Sequence, residues 1–221
     1  MWHDYLVAGP FTIEIWSDVV CPFCYLGTRQ LEQALGLFED REDVVVRLRA
    51  FELDPQAPTD YGMSLPELLA KKYGMPVERA IATNERLEGE ASALGMSWSL
   101  KTALPTNTFD AHRLIALATT QGLDEAMSLR LFRAYFSEGQ LLSDHAVLSA
   151  LAIEVGVTET DDLWTGDHYA RAVRSDESRA QELGISGVPS LLVDGKFMVV
   201  GAQGAHQILD VIERAWARRG A

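Results

Sequence analysis

Cys21 and Cys24 are the only cysteines in the 221 residues, and they stand together as Cys21-Pro22-Phe23-Cys24. A loop this local takes little conformational freedom from the unfolded chain, so a structural staple is the weaker reading. The spacing suits thiol-disulfide exchange, which needs one thiolate to attack a disulfide and a second thiol close enough to resolve the mixed disulfide. If a helix starts at Pro22, Cys21 sits at its N-terminus. There unpaired backbone N–H groups and the positive end of the helix dipole favour an anion. Cys24 then lies one turn inward, where it is more buried and within reach of Cys21. Zinc would want four ligands, and His3, His112, His145, His168 and His206 contain no paired motif to complete such a set. Two thiols simply packed in a core are the plain alternative.

A second signal is Gly187-Val188-Pro189, placed just before an apolar run. X–Pro bonds reach the cis form far more easily than others, and a proline is tolerated at a strand start. By itself this is a turn proline; beside an upstream cysteine pair it gains weight. His112 shares a helical face with Phe109, Ile115 and Ala116. It is either a residue of the groove above Cys21, able to stabilise a thiolate, or a satisfied core histidine. Glu14 and Asp18 are carboxylates that either move protons from Cys24 or, respectively, face water and cap a turn. Trp16, Phe23 and Tyr25 offer an apolar surround for the pair, or ordinary packing.

The elements that would position these residues follow from periodicity. Phe11, Ile13 and Ile15 alternate with Thr12, Glu14 and Trp16 over residues 11–17, the period of a strand. After the cysteines, Leu26, Leu31, Leu35 and Phe38 fall near one helical face, and Pro22 suits a first turn. Residues 44–51 read as a second, β-branched strand ended by Asp54-Pro55, which completes a βαβ unit. Ser64-Leu65-Pro66-Glu67 has the form of a capping box. Helical runs follow around residues 76–94, 107–121, 124–138, 144–155 and 167–183, a block of five or six helices stopped by glycines. Strand signals return at residues 189–200 as two short runs joined by Asp194-Gly195, a hairpin pair. A last amphipathic helix covers about residues 204–218.

Nineteen basic against 32 acidic residues leave a net charge of −13, with no local basic patch. This argues against nucleic acid and anionic membrane surfaces as partners. The opening MWHDYLVAGP lacks the basic start and the roughly 7–15-residue apolar run of a secretory signal, and no stretch approaches about 18 apolar residues. The expected location is the cytoplasm. Oligomeric state, monomer or homodimer, is left open.

In Ser17-Asp18-Val19-Val20-Cys21-Pro22-Phe23-Cys24-Tyr25, in residues 107–114 (NTFDAHRL) and in Gly184-Ile185-Ser186-Gly187-Val188-Pro189-Ser190, the chain resembles the DsbA-like branch of the thioredoxin superfamily, in particular its cytosolic FrnE-like group. The resemblance covers nearly all of residues 11–218. It implies an α/β thioredoxin fold with an all-helical domain inserted between the second strand and the cis-proline strand. The core would comprise residues 11–62 and 184–219, the insertion residues 63–183, and an N-terminal extension residues 1–10. It further implies Cys21 as the attacking thiol, Cys24 as the resolving thiol and Pro189 as a cis-proline facing them. Val188 would offer backbone groups to an extended substrate, with Pro22, Phe23 and His112 as further substrate contacts. The implied activity is thiol-disulfide oxidoreduction on protein or small-molecule disulfides. No cofactor would be tightly bound, and glutathione or another low-molecular-weight thiol would serve as co-substrate. Kappa-type glutathione transferases and 2-hydroxychromene-2-carboxylate isomerases share the fold but typically carry serine where this chain has Cys21. A thiol-dependent isomerase or transferase is therefore one alternative, and a non-enzymatic holdase with an apolar groove is another.

Overall fold

A computed structural model describes residues 9–219. Of the expected N-terminal extension, only Gly9 and Pro10 fall within that range. Strand β1 (Phe11–Ser17) leads through a short turn into helix α1 (Pro22–Leu37) and then β2 (Val44–Ala50). Seven helices follow: α2 (Leu65–Tyr73), α3 (Val77–Ala93), α4 (Phe109–Thr120), α5 (Asp124–Phe136), α6 (His145–Val155), α7 (Thr160–Thr165) and α8 (Ala170–Glu182). Strands β3 (Ser190–Val193) and β4 (Phe197–Val200) and helix α9 (Ala205–Ala217) complete the chain. The sheet order is β2-β1-β3-β4. β1 runs parallel to β2, with Phe11 opposite Val44, and antiparallel to β3, with Ile13 opposite Val193. This is a thioredoxin-type fold with a helical insertion between β2 and β3. No helix among the described residues is long and apolar enough to cross a membrane.

Local chemistry accounts for the element ends. Ser64 and Glu67 form the reciprocal capping box that opens α2. Asp194 and Gly195 both take positive φ, as a two-residue hairpin turn of mirror-image type requires. The short helix α7 has no counterpart in the sequence reading. Its six residues begin in an acidic stretch and bury only Leu163, too little to set up a period.

The sheet is covered on both faces. Phe11, Ile13 and Ile15 pack with Leu31 and Ala34 of α1 and Ile208 and Ile212 of α9. On the other face Trp16 and Leu192 meet Ala180 of α8, and the Trp16 indole N–H donates to the Asp176 carbonyl at 3.0 Å. The alternation in β1 therefore separates two buried faces, not a core face from a wet one. Glu14, on the α8 side, is buried but paired. Arg49 Nε and Nη2 donate to it at 2.9 and 2.6 Å, and Arg179 Nη2 donates at 2.7 Å. Burial opposes its charge, yet the two guanidiniums prevail and hold its carboxyl below the ordinary value. A glycine sets the approach of α1 to the loop before β3. A Cβ on Gly27 would lie 2.9 Å from Pro189 Cγ, whereas Gly36, further along α1, has nothing within 4 Å.

Two outcomes follow. Glu14→Gln keeps the shape and loses the charge, so stability to urea at pH 7 falls by about 1–3 kcal/mol. Because the folded-state pKa of Glu14 is lowered, its contribution is complete above the ordinary carboxylate range and is lost as the pH drops through it. The gap between the two proteins should accordingly close in acid; a gap that persists there would assign the loss to packing. Gly27→Val should lower stability by about 1–3 kcal/mol through overpacking, while Gly36→Ala should raise it by about 0.5–1 kcal/mol, both read by thermal and urea denaturation.

Candidate active site

The site lies where β1 ends and α1 begins. Cys21 is the N-cap of α1 with extended backbone, and Pro22 occupies the first turn, where its missing N–H removes no bond. The Cys21 N–H donates to the Asp18 carbonyl at 3.0 Å, and the Cys21 carbonyl accepts from Cys24 N at 3.1 Å. The two thiols differ in access. Cys21 keeps 4% of its surface open and lines a cavity, whereas Cys24 has 0%. The Cys24 sulfur accepts from the Asp18 N–H at 3.4 Å. Burial, with the adjoining Cys21 thiol adding to it, pushes the Cys24 thiol well above its ordinary value.

The loop before β3 closes the other side. The Val188–Pro189 peptide bond is cis, and the Val188 carbonyl lies 3.7 Å from Cys21 Sγ, positioned to accept from it. The loop is anchored by Ser190 Oγ, which donates to the Gly187 carbonyl at 2.8 Å, and by the Pro189 carbonyl, which accepts from Gly201 N at 2.8 Å.

Beside Cys21 opens a cavity of about 860 Å³. Cys21, Pro22, Phe23, Gly187 and Val188 form one wall; the opposite wall comes from the segment after β2, from α2 and from α3, with Leu53, Tyr61, Leu65, Leu69, Tyr73, Asn84 and Leu87. Phe23 is 44% exposed at this mouth. Of the three aromatics near the pair, Phe23 alone reaches the cavity. Trp16 is sealed under α8, and Tyr25 points into the helical layer, stacked on Phe132 at 4.7 Å and on Trp98 at 5.5 Å between ring centroids.

His112 departs from its expected place. It does not line the cavity above Cys21; it is buried on α4 and lines a separate cavity of about 340 Å³ with Ser17, Val19, Arg49 and Asp176. The reason is that α4 packs against α8 with this face inward. His112 Nε2 lies 3.4 Å from Asp18 Oδ1, while the other Asp18 oxygen accepts from Leu53 N at 2.8 Å. Burial disfavours the imidazolium, but Asp18, with Glu52 and Glu177 further off, outweighs it and raises the His112 pKa above its ordinary value. The neighbouring motif residues are anchors. Arg113 donates to the carbonyls of Leu163, Gly166 and His168, and Asn107 accepts from Phe109 N at 2.9 Å and donates to the Ala57 carbonyl at 3.3 Å.

The residues of the far wall were missed by the sequence reading. One signal was present. Ala80, Asn84, Leu87 and Ala91 form the buried face of α3, and a lone amide interrupting an apolar face marks a place where something polar must be met.

Comparison with known proteins agrees with this architecture. A family model for the DSBA-like thioredoxin domain matches residues 12–213. The crystal structure of the probable DsbA oxidoreductase SCO1869 from Streptomyces coelicolor superposes with a TM-score of 0.90 at 36% identity, covering 94% of this chain and 90% of that one. The cytosolic disulfide reductase DsbM of Pseudomonas aeruginosa, solved also with GSH, shares the fold at a TM-score of 0.61 and 21% identity, over 95% of this chain and 97% of its own. The protein YwbO of Bacillus subtilis (strain 168) is 27% identical over 208 residues, 92% of this chain and 94% of YwbO. The chain belongs to the family of DSBA-like thioredoxin domains.

Proposed function

We propose that the protein is a thiol-disulfide oxidoreductase working through a Cys21–Cys24 dithiol/disulfide couple. The observation that carries this reading is the asymmetry of the pair: Cys21 caps α1 at the wall of a cavity, and Cys24 sits one turn behind it with no exposed surface. In the reducing direction the Cys21 thiolate attacks a substrate disulfide, forms a mixed disulfide and expels one substrate thiol. Cys24 then loses its proton and attacks Cys21 Sγ, releasing the second thiol and closing the protein disulfide. Two electrons pass from the protein dithiol to the substrate. A low-molecular-weight thiol such as glutathione returns them, a role that the solved complex of DsbM with GSH supports.

In this reading Val188 presents its backbone to the substrate beside the attacking sulfur, and Pro189 faces the pair without offering a donor. Pro22 and Phe23 shape the approach to Cys21. A cytoplasmic setting fits the same reading, since DsbM is a cytosolic reductase. The disposition of the thiols also divides the labour. An accessible sulfur opens the substrate disulfide, and a sealed one, slow to ionise, resolves it without competing for that substrate.

The test is equilibration of the purified protein in glutathione buffers of graded redox ratio, with free thiols alkylated and counted by mass. Both labels should disappear together and reversibly, with no persistent adduct. A stable single-glutathione adduct on the native protein, or no exchange, would sink the dithiol couple and favour thiol-dependent isomerase or transferase chemistry. Cys24→Ser should instead accumulate a one-to-one mixed disulfide at Cys21 and lose multiple turnover. Because Cys24 titrates well above its ordinary range, decay of the native mixed disulfide in stopped flow should accelerate about tenfold per pH unit from neutral upward. A rate flat in pH would show that proton loss from Cys24 does not limit resolution.

A further inference from the structure

The cavity beside Cys21 has a chemistry of its own, apart from the sulfurs. Its far wall is aliphatic and aromatic, with Leu65, Leu69, Leu87 and Tyr73 among its residues. The volume of about 860 Å³ lies within the roughly 300–1,000 Å³ typical of small-molecule sites. Into this wall Asn84 brings a side chain that is only 5% exposed, and its Nδ2 has no hydrogen-bond partner among the described residues. A buried amide donor left unpaired is a standing penalty that a ligand acceptor would remove. Tyr135 supplies a second buried group, and burial raises its pKa so that it stays a protonated phenol.

Charge at this cavity runs against the rest of the chain. The protein carries 13 more acidic than basic residues, yet Lys71, Lys72 and Arg86 line the cavity against only Asp18 and Asp54. Both carboxylates are engaged. Asp18 accepts from Leu53 N, and Asp54 accepts from the Tyr61 hydroxyl at 3.0 Å. Arg86 is paired with Glu90, so the lysines at the end of α2 supply the outward-facing positive charge.

We propose that this cavity is the substrate site for small organic disulfides whose body is an apolar aryl or acyl group bearing a carboxylate or carbonyl oxygen. The apolar body lies against Leu65, Leu69 and Leu87, the oxygen accepts from Asn84 Nδ2, and an anionic end faces Lys71 and Lys72. The inference rests on Cys21 as the attacking thiol. For a disulfide RSSR, the Cys21 thiolate displaces one RS⁻ and leaves Cys21–S–S–R; Cys24 thiolate displaces the second. The protein dithiol is oxidised to the Cys21–Cys24 disulfide, and its two protons leave with two RSH. Two equivalents of a low-molecular-weight thiol restore the dithiol and depart as their own disulfide. Glutathione disulfide, polar and charged along its length, matches the wall poorly and is the comparison substrate.

The experiment mixes the reduced full-length protein in stopped flow with dithiobis(nitrobenzoate), an aryl carboxylate disulfide, with neutral dithiodipyridine, and with oxidised glutathione. Each rate is divided by that of N-acetylcysteine with the same disulfide, which removes intrinsic reactivity. The normalised rate should favour the aryl carboxylate over oxidised glutathione on the order of tenfold or more, and Asn84→Leu should cut that ratio by about tenfold. Lys71→Gln with Lys72→Gln, both at exposed positions, should slow dithiobis(nitrobenzoate) more than dithiodipyridine, with the difference shrinking at high salt. Equal normalised rates for the aryl and glutathione disulfides, or a lysine double variant that leaves the two aryl disulfides in their original ratio, would overturn the proposal. A binding arm separates this failure from that of the oxidoreductase reading. In Cys21→Ser with Cys24→Ser, anilinonaphthalene sulfonate fluorescence displaced by free nitrobenzoate reports the site without redox chemistry. Displacement that weakens with Asn84→Leu, when the native protein forms no Cys21–Cys24 disulfide in glutathione buffer, keeps the site and removes the couple. A native disulfide that forms and reverses normally, with no displacement in the double variant, removes the site and keeps the couple.

Discussion

Asp18 holds together parts of the chain that lie far apart in sequence, through bonds that only one residue at the end of β1 can make at once. Its carbonyl accepts from Cys21 N, and its N–H donates to the Cys24 sulfur. One carboxylate oxygen accepts from Leu53 N beyond β2, and the other faces His112 on α4 at 3.4 Å. The first two contacts fix where α1 starts relative to the strand, and so which thiol faces the cavity. The latter two tie that start to the segment after β2, which contributes to the opposite wall, and to α4. A buried carboxylate is destabilising unless every oxygen meets a donor or a cation. The Leu53 N–H meets that need for one oxygen, while the other has no hydrogen-bond partner among the described residues and faces the His112 imidazole at 3.4 Å.

The same requirement shapes the sheet. Covering both faces of β1 leaves little solvent for Glu14 and Trp16, which alternate away from the α1 side, so Glu14 is met by Arg49 and Arg179, and Arg49 in turn by Asp176. Nearby, Arg174 joins Glu52 and Glu177. Helix α8 therefore contributes arginines and acids where a covering helix usually contributes leucines. It can do so because the strand beneath presents a carboxylate, and because the Trp16 indole and the Ala50 N–H also take their acceptors from Asp176.

Much of this was legible in the residues. The cysteine spacing, the proline before β3, the capping box at Ser64 and the Asp194-Gly195 turn each carry a local mechanism, and local mechanisms read without knowing the fold. Glu14 was ambiguous because alternation tells two faces apart but not whether the second is wet; that is decided by α8, more than 150 residues away. His112 was visible as an inward-facing histidine on a periodic helix, yet periodicity gives a direction and no neighbour. The facing groups proved to be α8 and Asp18, just past the end of β1, so the imidazole lies in a cavity separate from the one beside Cys21. The cavity wall was hardest of all. Leucines on α2 and α3 read as ordinary core, and only the tertiary arrangement leaves a space of ligand size between them and Cys21.

That space bears on how the two parts of the chain divide the chemistry. The core alone sets the sulfur geometry, because both cysteines, the Val188 carbonyl and Pro189 all come from residues within or beside the four strands. The segment after β2, with Leu53 and Tyr61, shares the opposite wall of the cavity with the inserted helices, which bring Leu65, Leu69, Leu87, Asn84 and the lysines of α2. In thiol-disulfide exchange the leaving thiol sets the intrinsic reactivity, and selectivity beyond that comes from binding away from the reacting atoms. The lining residues on α2 and α3 can therefore vary without moving the two sulfurs, whose positions are fixed by Asp18 and the strands.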